Sequence, residues 1–283
     1  MKLLRFILLM FRKGSLSHTP HNFEQEREQV LKEIPHPRNY RAALSKNKII
    51  YTLKANLGYL LHARHMSTQL YASKEKQLVY VRILKSASTS LLRELLPAIN
   101  PQLRGRTMTD QQVDALAFYL VQKKLRPEEE GYQKIALVRN PFHRLVSVYL
   151  DLFDPDSTHF SYDVYWFGIL KKDMGFQEFL ETICQIPEFL RGPHFASQHF
   201  ILSRAVGLSK IKVYRIDKDQ QELEIVLKHY SLSMAHANRN SKYDYWTFYN
   251  RQTLEKVYQL YKQDVISFGY QQEYEELLSK LKA

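Results

Sequence analysis

The fold is decided by one stretch in which an apolar run leads into a turn of small hydroxyl side chains, Val79-Tyr80-Val81-Arg82-Ile83-Leu84-Lys85-Ser86-Ala87-Ser88-Thr89-Ser90. The largely apolar and β-branched run from Leu78 to Leu84 predicts a buried strand. Beyond the turn, leucines recur at helical spacing, at positions 91, 92, 95 and 96. A helix must therefore begin near Ser88 to Ser90, directly after the strand and the turn.

The turn between this strand and this helix gathers groups that bind anions. The unpaired backbone N–H groups at a helix N-terminus and the helix dipole both favour negative charge. Three serines, one threonine and the ammonium group of Lys85 lie in the same turn. Together they predict a site for a phosphate-like anion, formed by Lys85, Ser86, Ala87, Ser88, Thr89 and Ser90.

A second stretch further along the chain has the same organisation, Ile135-Ala136-Leu137-Val138-Arg139-Asn140-Pro141-Phe142-His143-Arg144-Leu145-Val146-Ser147. Asn140 is a good N-cap and Pro141 a good first helical residue, so we expect a helix to begin there. The side chain of Arg139 then leaves the carboxyl end of the strand, and Ser147 lies about two turns into the helix. Arg139 and Ser147 are predicted to form a second anion site.

Two anion sites at the carboxyl ends of parallel strands suit a nucleotide that carries two separate phosphate groups. The first turn is not a Walker A loop, because it reads Lys-Ser-Ala-Ser-Thr-Ser where that motif has glycines followed by Gly-Lys-Ser/Thr. Either turn alone could be an ordinary helix cap, but that explanation accounts for only one turn at a time. Two such turns in this order favour a nucleotide site.

With these motifs the sequence resembles the sulfotransferases that use 3′-phosphoadenosine 5′-phosphosulfate (PAPS), and most closely the carbohydrate O-sulfotransferases of heparan and chondroitin type glycans. The segment 85–90 is similar to the 5′-phosphosulfate loop of that family. The segment 139–147 is similar to its 3′-phosphate motif, Arg-Asp/Asn-Pro-x-x-Arg-x-x-Ser. Leu84 departs from the proline that often precedes the loop lysine.

Later segments extend the resemblance over roughly residues 77–270. Residues 193–198 are similar to a His-aromatic-x-Pro-Gln segment, with serine in place of proline. A predicted strand over 211–216 is followed by Asp217, where glutamate is commoner in the family. Residues 236–270 are similar to the closing segment of the family.

The resemblance implies a reaction and its participants. PAPS would donate a sulfuryl group to a hydroxyl of a saccharide or polysaccharide acceptor. Lys85 would stabilise the negative charge that grows on the leaving phosphate, while Arg139 and Ser147 would hold the 3′-phosphate. No metal is required, and no metal-ligand spacing is visible in the sequence.

An acceptor hydroxyl also needs a base, and histidine is the usual choice near neutral pH. Among eleven histidines, His194 has the best claim because it matches the His-aromatic segment, and His199 stays open as the alternative. His143 lies in the phosphate motif but is expected on the surface. We expect Arg144 either to touch the nucleotide or to fasten its helix to the sheet through an ion pair.

The chain has 283 residues, enough for a large core, and alternating strand and helix patterns from residue 77 onward. These patterns and the resemblance predict an α/β, P-loop-like three-layer fold with a central parallel sheet and helices on both faces. We expect residues 1–74 to be an N-terminal helical extension and residues 75–283 to be the sulfotransferase catalytic domain. An apolar stripe that includes leucines 53, 57 and 60 is expected to pack against the core, as are most aromatic residues of 153–179.

The formal charge is +12, with 41 lysine and arginine residues, which indicates an anionic partner. A nucleotide accounts for part of this excess, and an anionic glycan, a membrane surface or a generally basic surface accounts for the rest. We expect no nucleic-acid partner. The single cysteine, Cys184, excludes intrachain disulfides and a thiolate zinc cluster and is typical of a reducing compartment.

Residues 3–11 are largely apolar, but this run is too short to cross a bilayer. No transmembrane anchor and no signal-peptide cleavage pattern is visible, so a cytoplasmic location is expected. Residues 1–13 also carry Lys2, Arg5, Arg12 and Lys13. The segment can either make peripheral contact with a membrane or pack as an ordinary terminal helix.

Two other functions remain open. An ATP-dependent kinase of P-loop type is disfavoured, because the chain lacks Gly-Lys-Ser/Thr and a clear magnesium-binding acidic residue after a strand. A non-catalytic basic protein that binds nucleic acid or membrane is the other alternative. It would show an affinity that falls steeply with salt and no nucleotide selectivity.

Overall fold

A four-stranded sheet forms the centre of the protein. The computed structural model describes residues 68–153, 165–234 and 244–281, together with Leu53, Asn56, Leu57 and Leu60. The strands lie side by side in chain order: β1 (Leu70–Ser73), β2 (Leu78–Val81), β3 (Gln133–Val138) and β4 (Lys212–Arg215). The pairing of β2, β3 and β4 is parallel, which confirms the predicted sheet, whereas β1 is an antiparallel edge strand that the sequence did not reveal.

Nine α-helices lie in the described ranges: α1 (Ser88–Ile99), α2 (Asp110–Leu120), α3 (Pro141–Phe153), α4 (Phe176–Gln185), α5 (Gln198–Ala205), α6 (Gln220–His229), α7 (Arg251–Leu260), α8 (Lys262–Ser267) and α9 (Gln271–Lys280). The connection from β2 to β3 contains α1 and α2, and the connection from β3 to β4 contains α3, α4 and α5. This alternation confirms the α/β class.

The sheet separates two hydrophobic cores. Successive residues of a strand point to opposite faces, so Val79 and Val81 of β2 face one core while Leu78 and Tyr80 face the other. The first core is covered by α3, α4, α5, α7, α8 and α9, and the second by α1, α2 and α6. The result is the predicted arrangement of three layers, with helices on both faces of the sheet.

The strand register brings the two predicted anion-binding turns to one edge of the sheet. Val81, the last residue of β2, pairs with Ala136 of β3 in the parallel ladder. Because parallel strands end at the same edge, the turn that contains Lys85 and the turn that contains Arg139 leave the sheet side by side.

Both predicted helix starts are confirmed. The helix α1 begins at Ser88, directly after the turn. The helix α3 begins at Pro141, and the side-chain oxygen of Asn140 accepts hydrogen bonds from the backbone N–H groups of Phe142 (2.9 Å) and His143 (3.3 Å). Asn140 therefore caps α3 as its sequence position predicted.

Arg144 fastens the segments around the sheet edge through backbone carbonyls. It is 2% exposed, and its guanidinium donates hydrogen bonds to the carbonyl oxygens of Leu84 (3.0 Å), Pro193 (3.0 Å), His194 (2.8 Å) and Ala196 (3.0 Å). Arg144 thus fastens its helix to the chain around the turn through backbone carbonyls, while the expected ion pair stays a prediction. The expected contact of Arg144 with the nucleotide stays a prediction.

Two further packing predictions have different outcomes. Tyr165 and Trp166 are buried and both donate hydrogen bonds to the carbonyl oxygen of Leu190, and most of the described aromatic residues of this stretch belong to the core, as predicted. The leucines 53, 57 and 60 are helical but are 48%, 55% and 59% exposed, so the packing predicted for this stripe is wrong at these positions. Asn56, which lies among these leucines in the sequence, is buried, and its side-chain oxygen accepts a hydrogen bond from the backbone N–H of Phe167 (3.1 Å).

The predicted boundary after residue 74 stays a prediction, although β1 lies just before it and pairs with β2. The rest of the proposed helical extension, including residues 1–13, and the segment 235–243 lie outside the described residues. Within the described residues, none of the helices has both the length and the apolar character that crossing a membrane requires.

Replacing Arg144 should destabilise the protein strongly. In Arg144→Ala, four carbonyl groups lose a donor, two of them in buried hydrogen bonds, so we expect the free energy of unfolding to fall by about 3 kcal/mol or more. Arg144→Lys keeps the charge but has fewer donors in a different geometry, and it should lose a smaller amount. Urea unfolding measures both changes, and Arg251→Ala, an exposed arginine of α7, is the control. Equal effects of Arg144→Ala and Arg251→Ala would contradict this role.

Candidate functional site

One pocket at the sheet edge collects nearly all of the residues predicted to bind the nucleotide. Its volume is about 210 Å³, and its lining residues are Lys85, Ala87, Ser88, Thr89, Ser90, Arg139 and Ser147. Residues from both turns therefore face the same space. Ser86 is the predicted residue outside this lining, and it is fully buried.

The first turn has an unusual backbone. Lys85 and Ala87 adopt φ angles of 65° and 55°, in the left-handed region that favours glycine. Such a conformation costs roughly 1 to 3 kcal/mol per residue and is found most often at functional sites. Ala87 is the N-cap of α1 but offers no capping side chain, so in the described part of the chain no side chain caps the first turn of this helix.

Arg82 is a buried side chain that contacts the first turn of α1. This arginine is 7% exposed and donates a hydrogen bond to the hydroxyl of Ser88 (3.2 Å). It also pairs with the carboxylate of Asp114 on α2, which in turn accepts a hydrogen bond from the hydroxyl of Thr89 (3.2 Å). Arg82 and Asp114 thus hold the hydroxyls of Ser88 and Thr89 in place.

Lys85, a lining residue of the pocket, already has an acidic partner. Its ammonium nitrogen lies 3.1 Å from a carboxylate oxygen of Asp151. Asp151 belongs to α3 and follows Ser147 by four residues, which places both on the same face of the helix. Asp151 was not among the residues predicted for the site, although its helical spacing from Ser147 was a usable signal.

Arg139 is held by the first turn and by His143. Its guanidinium donates a hydrogen bond to the carbonyl oxygen of Lys85 (3.3 Å) and lies 2.8 Å from a ring nitrogen of His143. His143 is half-buried and stacks on Tyr245 with ring centroids 4.6 Å apart, so its predicted surface position is wrong. Burial and the charge of Arg139 lower the pKa of His143 to about 3, and the neutral ring can accept a hydrogen bond from Arg139.

Gln198 joins the two turns. Its side-chain oxygen accepts hydrogen bonds from the hydroxyl of Ser86 (3.3 Å) and from the backbone N–H of Arg139 (2.9 Å). Its side-chain nitrogen donates to the carbonyl oxygen of Arg139 (2.8 Å). Gln198 is fully buried, so this amide fixes the distance between the two halves of the pocket.

Asp264 anchors Gln198 from the C-terminal part of the chain. Its carboxylate oxygens accept hydrogen bonds from the backbone N–H groups of Gln198 (2.9 Å) and His199 (2.7 Å) at the start of α5. Asp264 is fully buried, and burial raises its pKa to about 6 although these two hydrogen bonds favour the charged form. A carboxylate at a helix N-terminus also interacts favourably with the helix dipole.

Asp217 supports the second turn in a similar way. It follows β4, as predicted, and accepts hydrogen bonds from the backbone N–H of Asn140 (3.1 Å) and from the hydroxyl of Tyr270 (2.6 Å). The turn after β3 is therefore held by Gln198 on one side and by Asp217 on the other.

The two histidines proposed as the base lie next to this framework. His194 is half-buried, and its pKa is lowered to about 3, first by burial and then by the positive charges of Lys85, Arg144 and Arg82. His199 is half-buried in the first turn of α5. In the described part of the chain neither histidine lines the pocket defined above.

The titration of Asp264 leads to a testable pH dependence. Its folded pKa of about 6 lies above the ordinary value of 3.8, so the folded protein takes up a proton before the unfolded chain does as the pH falls. The buried carboxylate therefore lowers the free energy of unfolding at neutral pH. This loss is recovered as the pH falls through about 6 and the group becomes protonated. We expect the stability of the wild type relative to Asp264→Asn to rise by about 1 kcal/mol from pH 7 to pH 5.

Urea unfolding of both proteins at the two pH values measures this difference. Asp110→Asn, which removes an exposed carboxylate from α2, is the matched control and should show no such gain. If the stability of the wild type relative to Asp264→Asn stays constant or falls on acidification, Asp264 is not the group that titrates.

The arrangement can be compared with known proteins. The model of the sulfotransferase family matches residues 68–271, well over half of the 283 residues, and this range contains both turns, Gln198 and Asp264. Neither the curated proteins nor the solved structures include a significant match. The family match, over a range that includes the whole pocket, shows that this chain belongs to the sulfotransferase family.

Proposed function

We propose that this sulfotransferase takes its sulfuryl group from PAPS and transfers it to a hydroxyl of a carbohydrate acceptor. The observation that carries the proposal is that the side chains of two separate turns line one pocket. Each turn supplies one cation, Lys85 or Arg139, and hydroxyl groups beside it. A nucleotide with phosphate groups at both its 3′ and 5′ positions matches that division.

The chemistry of the lining supports this donor. Ser88 and Ser90 offer hydroxyl donors beside the N-terminus of α1, which suits the 5′-phosphosulfate end, and Thr89 lies next to them with its hydroxyl bonded to Asp114. Arg139 and Ser147 would hold the 3′-phosphate, since a guanidinium can donate two parallel hydrogen bonds to a phosphate group. Ser86 and Ala87 would contribute through the shape of the turn, because Ser86 is bonded to Gln198 and Ala87 has its left-handed backbone.

PAPS is consumed in the reaction as a substrate. An acceptor oxygen forms a bond to sulfur, the bond between sulfur and the bridging oxygen of the 5′-phosphate breaks, and the acceptor proton passes to a base. The products are the sulfated acceptor and 3′,5′-adenosine bisphosphate. Lys85 would stabilise the negative charge that accumulates on the 5′-phosphate, an effect that is largest in the transition state.

His194 is the proposed base, with His199 as the alternative. The low pKa of His194 keeps its ring neutral, which is the form that accepts a proton. A bound donor would bring negative charge near Lys85 and Arg144, and this would raise the pKa of His194 toward the range in which a base is effective.

A carbohydrate acceptor is proposed from the resemblance of the motifs to carbohydrate O-sulfotransferases and from the formal charge of +12. A basic surface attracts anionic glycans over distances of about a Debye length, roughly 10 Å at 0.1 M salt. The acceptor would therefore be held partly by long-range electrostatics, in addition to contacts at the pocket.

The donor assignment is tested by calorimetry with two nucleotides and no magnesium. We expect 3′,5′-adenosine bisphosphate to bind more tightly than 5′-AMP, because only the former occupies both anion sites. Arg139→Ala should weaken binding of the bisphosphate by about 1.5 to 3 kcal/mol and should leave the affinity for 5′-AMP nearly unchanged. Arg251→Ala is the control, and equal binding of the two nucleotides by the wild type would reject the two-site assignment.

The assignment of the base is tested by turnover. His194→Ala should lower turnover by roughly 10² to 10⁴ while the affinity for 3′,5′-adenosine bisphosphate stays intact, and the acidic limb of the pH profile should disappear. His229→Ala, an exposed histidine of α6, is the matched control. Near-normal turnover of His194→Ala together with inactive His199→Ala would transfer the role to His199.

A further inference from the structure

The ion pair between Lys85 and Asp151 lies where the donor is proposed to bind. The two charged atoms are 3.1 Å apart, and the side chains are 23% and 36% exposed. Lys85 lines the pocket, and Ser147, one helical turn before Asp151, lines it as well. A carboxylate at this position competes with any anion for the same ammonium group.

The carboxylate is also held at a fixed position relative to the turn. Asp151 belongs to α3, and Arg144 of the same helix donates a hydrogen bond to the carbonyl oxygen of Leu84, the residue before Lys85. Arg139, just before α3, donates to the carbonyl oxygen of Lys85 itself. The helix that carries Asp151 and the residue before it are thus hydrogen-bonded to two consecutive carbonyls, those of Leu84 and Lys85. The pairing of Asp151 with Lys85 therefore does not depend on a freely moving loop.

We propose that Asp151 is a positioning residue that holds the Lys85 ammonium in the donor-free protein and is exchanged for the 5′-phosphate end of the donor when the donor binds. The proposal rests on the proposed function, since it requires the 5′-phosphate to reach Lys85. It assigns Asp151 no contact with the acceptor and no proton transfer.

The exchange has consequences at both ends of the reaction cycle. Before the donor binds, the pair keeps the flexible lysine side chain inside the pocket, and the carboxylate must give up Lys85 when the donor binds. After transfer, the carboxylate competes with the 5′-phosphate of the bisphosphate product for Lys85. Asp151 therefore weakens binding of the product and favours its release.

The experiment compares two nucleotides that differ only in the 5′-phosphate, 3′,5′-adenosine bisphosphate and 3′-AMP, by calorimetry on the full chain. In Asp151→Asn the competing charge is removed, so we expect the bisphosphate to bind about three- to tenfold more tightly, the range for a partly exposed charge pair. The affinity for 3′-AMP should not change. Asp151→Glu retains the charge and should behave like the wild type, and Asp110→Asn is the matched control for removing a paired surface carboxylate.

The outcomes separate this proposal from the proposed function. An unchanged or weaker affinity of Asp151→Asn for the bisphosphate, or an equal change for both nucleotides, overturns the role of Asp151 while the donor assignment stands. A wild-type protein that binds neither nucleotide overturns both. Thermal unfolding checks that the variants are folded, and Asp151→Ser provides a second neutral substitution if Asp151→Asn is not.

Discussion

The geometry of the pocket depends on one buried amide. Gln198 accepts hydrogen bonds from Ser86 and from the backbone of Arg139 and donates one back to Arg139, so a single side chain sets the spacing of the two turns that line the pocket. Asp264 fixes the backbone of Gln198 in turn. Since a buried polar group without partners is costly, each member of this network requires the others to be in place.

Arg144 also connects separate segments of the chain, although it does not line the pocket itself. It connects α3 to the carbonyl of Leu84 and to the segment that leads into α5. Arg139 and Arg144 lie in one motif but have opposite tasks, since the former faces the pocket while the latter satisfies buried carbonyls. A positive charge in such a motif is therefore not by itself evidence of a ligand contact.

Local sequence rules predicted a large part of this structure. The starts of α1 and α3 follow from residues within one helical turn, Ser88 and Asn140, and the alternation of strands and helices gave the α/β class. The features that local sequence patterns did not predict are contacts between residues far apart in the chain. Gln198 lies 112 residues from Ser86, and no periodicity indicates that its amide meets that hydroxyl. The edge strand β1 and the pairing of Asp151 with Lys85 also depend on tertiary packing.

The two halves of the pocket are built on different hydrophobic cores. The helix α1, which carries the serine and threonine hydroxyls, packs on one face of the sheet, and α3, which carries Ser147, packs on the other. Substitutions that reshape one core can therefore accumulate without disturbing the helix on the opposite face. Evolution can therefore change the side chains of one half of the pocket independently of the other half, provided that Gln198 between them is kept.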